Sequence, residues 1–136
     1  MTMRYLLDTN ICIYIAKKHP PEVQQRLAKL TIGNVGMSMI TFAELRFGAE
    51  KSQHKDIALE KLNQLVHYIP VILPSQETAE KYALIRHFLE KIGQPIGNND
   101  LWIAAHALSL NTILVTNNTK EFIKVPNLII ENWVNH

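Results

Sequence analysis

Apolar positions along the chain fall into two kinds of run. Short runs of strand length lie at Arg4–Leu7, Val35–Ile40, His67–Leu73, Thr112–Thr116 and Leu128–Ile130. Between them, apolar residues return every three or four positions, the period of a helix with one buried face. This pattern predicts a helix starting at Ile11 and stopping near Pro20-Pro21, followed by helices over Glu22–Leu30 and Lys55–Val66. Two more are predicted over Gln76–Ile92, where Ser75 can cap, and Asp100–Leu110, which is rich in alanine. Thr41-Phe42-Ala43-Glu44 has the form of a capping box and predicts a helix opening at Thr41. Gly33, Asn34 and Gly36 mark a turn, Gly93–Asn99 reads as a loop, and Pro70 suggests an edge position for the third strand. Strands separated by helices imply parallel crossovers, hence a three-layer α/β fold with a sheet covered on both faces.

Composition narrows the class. The 136 residues are 47% hydrophobic and 19% charged, which fits one globular domain spanning 1–136 and excludes a disordered or fibrous chain. The single Cys12 excludes an intrachain disulfide and a thiolate zinc cluster and favours a reducing, cytoplasmic setting. Leu101–Thr119 lacks Lys, Arg, Asp and Glu, but it divides at Asn111 into an Ala-rich helical half and a β-branched half. Two short buried elements explain it better than a membrane span. Net charge is only +2 and does not by itself announce nucleic acid.

The acids carry more information. Ligands of open parallel sheets bind at the carboxyl ends of the strands. Asp8 follows the first predicted strand, Glu44 lies one turn into the helix after the second, and Asp100 starts the helix leading to the fourth. Asn117, Asn118 and Glu121 follow the fourth strand. Each acid alone has an ordinary use as a turn, cap or first-turn residue. Together on one rim they repel one another, and a divalent cation resolves that repulsion. Oxygen ligands without His or Cys favour Mg²⁺ or Mn²⁺ over zinc. Such a site suits phosphodiester cleavage, with the ion activating water and stabilising charge on the phosphate. With Asp8, Glu44, Asp100 and Glu121 set aside, 14 basic residues face eight remaining acids, which fits a nucleic-acid substrate.

Other chemistries are poorly supported. No two of the six histidines are spaced for a helical zinc pair, and His106 points away from Asp100 on a shared helix. There is no GxxxxGK[ST], GxGxxG or GxSxG pattern. Cys12 reads as core. Lys17-Lys18, Arg46, Arg86, Lys91, Lys120 and Lys124 are candidate nucleic-acid contacts. Trp102 reads as core or as part of a protein interface, and Phe42, Phe47 and Phe88 as core or partner grooves.

Four ordered blocks carry a resemblance. They are Tyr5-Leu6-Leu7-Asp8-Thr9-Asn10, Ile40-Thr41-Phe42-Ala43-Glu44-Leu45, Ile96-Gly97-Asn98-Asn99-Asp100-Leu101-Trp102-Ile103-Ala104-Ala105-His106-Ala107, and Thr116-Asn117-Asn118 through Glu121-Phe122 with the ending Val125-Pro126…Glu131-Asn132-Trp133. Over nearly the whole chain the sequence resembles the PIN-domain ribonucleases, and in particular the VapC toxins of bacterial toxin–antitoxin pairs. The resemblance implies a Rossmann-like five-stranded parallel sheet and a Mg²⁺- or Mn²⁺-dependent endoribonuclease acting on RNA, with tRNA as the expected substrate. It places Asp8, Glu44 and Asp100 at the family's metal-binding acids, with Thr9, Asn10 and Thr116 orienting them. Many members have Asp where this chain has Asn118, so Glu121, or a water held by Asn118, is the expected substitute. One firmly held ion is then expected, with a second that needs the substrate phosphate. The resemblance further implies a VapB-type antitoxin partner, operator DNA reached only through that antitoxin, and a homodimer. The missing fourth Asp leaves a second reading, a catalytically silent module that serves as antitoxin partner and co-repressor.

Overall fold

The structure is a computed structural model that describes residues 3–135. Strands β1 (Tyr5–Leu7), β2 (Val35–Ser38), β3 (Val71–Ile72), β4 (Ile113–Val115) and β5 (Ile130–Glu131) form one sheet in the order β3-β2-β1-β4-β5. Every pairing is parallel. The crossovers carry helices α1 (Thr9–Lys17), α2 (Pro21–Ala28), α3 (Met39–Glu50), α4 (Lys55–Tyr68), α5 (Gln76–Lys91), α6 (Asn98–Leu110) and the short α7 (Thr119–Phe122). The three-layer, Rossmann-like α/β arrangement is the one expected.

Alternation along β1 divides the core. Tyr5 and Leu7 join Ile11, Ile15, Val23, Leu62 and Leu65 on the face covered by α1, α2 and α4. Leu6 joins Ile85, Leu89, Leu101 and Ile103 on the face covered by α5 and α6. Both faces of the central strands are therefore apolar, as in parallel sheets generally. Trp133 is buried in the first cluster, edge-on to Tyr5 at 5.6 Å. Its indole N–H donates to Glu131, which also receives Arg26 at 2.8 Å. β2 crosses close under Met3 and the edge strand, and a Cβ at Gly36 would stand 2.5 Å from Met3 Sδ and 2.9 Å from Ile72 Cγ1.

Several boundaries depart from the sequence expectation. β2 ends at Ser38 rather than Ile40, because the Ser38 hydroxyl accepts from the Ile40 N–H at 3.2 Å and opens α3 at Met39. The predicted capping box at Thr41 is therefore absent, and Thr41 and Glu44 lie inside the helix. α4 continues through His67 and Tyr68, carried by buried Leu62 and Leu65, and shortens β3. β3 is nevertheless an edge strand, with the Pro70 carbonyl accepting from Met37 N–H at 2.9 Å. The last strand is Ile130–Glu131 rather than Leu128–Ile130, following a turn in which Asn127 takes a φ of 66°. α1 begins at Thr9 and α6 at Asn98, each two residues earlier than predicted. α7 has four residues, too few to show a period. Among the described residues no helix is long and apolar enough to cross a membrane.

Candidate active site

The register of the sheet builds the site. Leu7 lies opposite Met37 on one side and Val115 on the other. One position further along stand Asp8, Ser38 at the end of β2, and Thr116, three polar residues that are all buried. The strand order turns around between β1 and β4, and there Asp8 and Thr116 sit side by side. The Asp8 N–H donates to the Val115 carbonyl, and the Thr116 hydroxyl donates to Asp8 Oδ2 in a short contact of 2.5 Å. Asp8 also caps α1, its Oδ1 accepting from the Ile11 N–H at 3.0 Å.

Glu44 projects from the second turn of α3 toward the same rim. Its Oε1 accepts from the Thr9 hydroxyl, which lies 3.3 Å from Thr41 Oγ1. Thr9 and Thr116 thus hold the carboxylates of Glu44 and Asp8 by single hydroxyl bonds. Asp100 stands half-buried in the first turn of α6, with its Oδ2 close under Gly97.

The acids share one field. Burial pushes the Asp8 carboxyl up to about 6, opposed by the bonds from Thr116 and Ile11 and reinforced by the charges of Asp100 and Glu44. Asp100 is raised by burial, then by Glu44 and Glu121. Glu121 is thereby within electrostatic reach of the rim, while its Oε1 lies 3.4 Å from Lys124 Nζ. Among the described residues, no three His, Cys, Asp or Glu side chains stand close enough together to hold one ion. The donor set is all carboxylate and hydroxyl oxygen, which fits a hard divalent cation. Mg²⁺ typically takes one or two carboxylates and completes its shell with water and phosphate oxygens.

The remaining expected residues take different places. Asn10 is exposed and makes no side-chain hydrogen bond among the described residues. Asn118 contributes its backbone N–H to Thr116 Oγ1 at 2.9 Å, so it steadies the hydroxyl that holds Asp8. His106 is buried, its Nδ1 2.8 Å from Ser38 Oγ, and burial lowers its pKa. Cys12 is buried core, with its thiol pushed up by that burial. Trp102 is half-buried and stacks on Tyr82 at 3.9 Å. Phe47 is exposed rather than core, as to a lesser degree is Phe88.

Two features of the site go beyond the sequence expectation. Ser38 both starts α3 and meets His106. A chain of side-chain bonds runs from Asn132 through Asn117 to the Tyr14 hydroxyl beside the rim. A serine at the end of a strand and before an apolar helical run is the local signal for the first. Nothing local marks the second.

The sequence pattern of the PIN domain family matches residues 5–128. The chain is 45% identical to Ribonuclease VapC2 of Rickettsia felis, over 96% of this chain and 98% of that protein. It is 40% identical to the tRNA(fMet)-specific endonuclease VapC of Shigella flexneri, over 96% and 98% respectively. In structure it is similar to a chain of the R. felis VapBC2 complex bound to a DNA fragment from its promoter, with a TM-score of 0.91, 44% identity, and 97% and 100% of the two chains covered. With its five parallel strands, its acids at their carboxyl edge and these matches along nearly its full length, the chain belongs to the PIN domain family, in its VapC group.

Proposed function

We propose that this protein is a divalent-metal-dependent endoribonuclease, the toxin of a VapBC pair, and that Asp8, Glu44 and Asp100 are its catalytic acids. The observation that carries this reading is the electrostatic coupling of these three carboxylates at the strand-order reversal, in a chain of the VapC group. A cation bound there supplies Lewis acidity toward water and the scissile phosphate.

The residues of the chain do the positioning. The Thr116 hydroxyl and the Ile11 N–H fix both oxygens of Asp8, and Thr9 fixes one oxygen of Glu44. These two carboxylates are therefore held in place, and an ion at the rim would complete its shell with water and phosphate oxygens. Their mutual repulsion makes the empty rim unfavourable when ionised, and this favours loading with Mg²⁺ or Mn²⁺. Glu121 takes the part that a fourth Asp plays in many relatives, since its charge reaches Asp100 from α7, while Asn118 acts through its backbone. The substrate is RNA, with initiator-type tRNA favoured by the names of relatives such as the Shigella flexneri protein. A VapB-type antitoxin is the partner, and operator DNA is reached through it, in keeping with the DNA-bound VapBC complexes among the structural relatives. Such a protein acts in the cytoplasm.

The test is incubation of antitoxin-free protein with total tRNA and with duplex DNA, in Mg²⁺, in Mn²⁺ and in EDTA. Discrete tRNA fragments that vanish with EDTA, with Asp8→Asn and with Asp100→Asn are expected. Absence of cleavage by folded protein in every metal would replace this reading with the silent partner-binding module.

A further inference from the structure

Three of the candidate basic residues are already engaged, while Lys91 and Lys120 are exposed on other elements. Arg46 pairs with Glu50, Arg86 with Glu90, and Lys124 with Glu121. Lys17, Lys18 and Lys61 are exposed and form no ion pair among the described residues. The three line one cleft of about 780 Å³ between α1, α2 and α4. Lys17 closes α1, Lys18 turns the chain out of it with a φ of 58°, and Lys61 faces them from α4. Gln24 is tied to the Ile15 carbonyl at 3.4 Å and so holds α2 against this end of α1. The Tyr68 ring, 60% exposed, completes the wall.

This cleft is continuous with the catalytic rim. A second furrow of about 370 Å³ runs from Thr9 and Glu44 along α1 and shares Lys17 and Lys61 with it. From Thr9 to Lys17 the helix rises about 12 Å. An RNA strand whose scissile phosphate lies at the acids therefore reaches the lysines within a few nucleotides. Three unpaired ammonium groups beside an exposed aromatic ring are the elements of single-strand recognition, point charges for phosphates and a face for one base.

We propose that Lys17, Lys18 and Lys61, with Tyr68, form a backbone-holding subsite for the RNA substrate, lying along α1 from the scissile bond. The proposal rests on the ribonuclease reading. The subsite lies outside the chemistry, so it governs how tightly long RNA is held and leaves the cleavage step unchanged. The probes are a fluorescein-labelled single-stranded RNA, followed by anisotropy in EDTA, and cleavage of tRNA against an RNA of two or three nucleotides.

The triple variant Lys17→Ala, Lys18→Ala, Lys61→Ala is expected to raise KM for tRNA at least ten-fold at low salt. Its kcat, and its activity on the short RNA, should match the parent's. The slope of log affinity on log salt should flatten by about 2, at roughly 0.7 for each phosphate that the variant no longer neutralises. Replacing the same three residues by Arg should restore both. An unchanged KM and salt slope in the folded triple variant, with the parent cleaving normally, would overturn the subsite alone. So would loss of antitoxin binding with RNA affinity intact, since the cleft would then belong to a protein partner. If the parent cleaved no RNA but bound the labelled strand through these lysines, the subsite would stand and the nuclease reading would fall.

Discussion

Replacing Asp8 by Asn should remove the activity and at the same time stabilise the metal-free protein. The Asp8 carboxyl rises from an ordinary 3.8 to about 6 because it is buried, 5% exposed, beside two other acids. A raised carboxyl pKa means that the folded protein prefers the neutral form. Stability from this group is therefore present below about pH 4 and is lost as pH rises through 6. By pH 7.5 the loss amounts to roughly 3 kcal/mol. Asparagine keeps the α1 cap, since its amide oxygen accepts from Ile11 as well as a carboxylate does. It leaves the Thr116 proton without its acceptor, at about 1 kcal/mol. Net stabilisation of the variant should be about 2 kcal/mol at pH 7.5 and should fall through zero to a slight destabilisation, under about 1 kcal/mol, by pH 4. Urea unfolding in EDTA at pH 4, 5.5 and 7.5 measures it. Adding Mg²⁺ at a hundred times its Kd should return about 2.7 kcal/mol to the parent and much less to the variant. A stability difference that did not change between pH 4 and pH 7.5 would refute the argument, for it would mean that Asp8 carries no burial penalty to relieve.

Other perturbations have equally definite outcomes. Thr116→Val removes the hydroxyl that favours ionised Asp8, so the acidic limb of the pH–rate profile should move to higher pH by about one to two units, a bond to a charged group being worth about 1.5–3 kcal/mol. Trp133→Ala empties a fully buried site against Tyr5 and should cost about 3–5 kcal/mol in urea unfolding. Gly36→Ala pushes a methyl into Met3 and Ile72 and should cost about 1–3 kcal/mol, lowering the thermal midpoint without altering metal dependence.

The legible parts of the molecule are those written locally or by topology. Apolar runs mark β1, β2 and β4, and strand–helix alternation alone sets Asp8, Glu44 and Asp100 on one edge of the sheet. What escapes is decided at a distance. Thr41-x-x-Glu44 satisfies the capping pattern, yet Glu44 is taken by Thr9 from another helix, and Ser38 caps instead. Helical spacing turns His106 away from Asp100, but it does not reveal the partner, Ser38, which lies 68 residues earlier. The basic track is only partly readable, because a sequence does not reveal that Arg46, Arg86 and Lys124 are paired, or that Lys61 faces Lys17.

The central place of the first strand has a consequence for synthesis. β1 is made well before β4, so one of its edges waits for that strand, and Asp8 waits 108 residues for the hydroxyl of Thr116. Pairing across such a span is slow to form and closes late. As the chain leaves the ribosome, the acidic rim stays unassembled until β4 has emerged. A chain that stops short of β4 has neither the neighbouring strand nor the hydroxyl that set Asp8, so strand order alone ties completion of the rim to late synthesis.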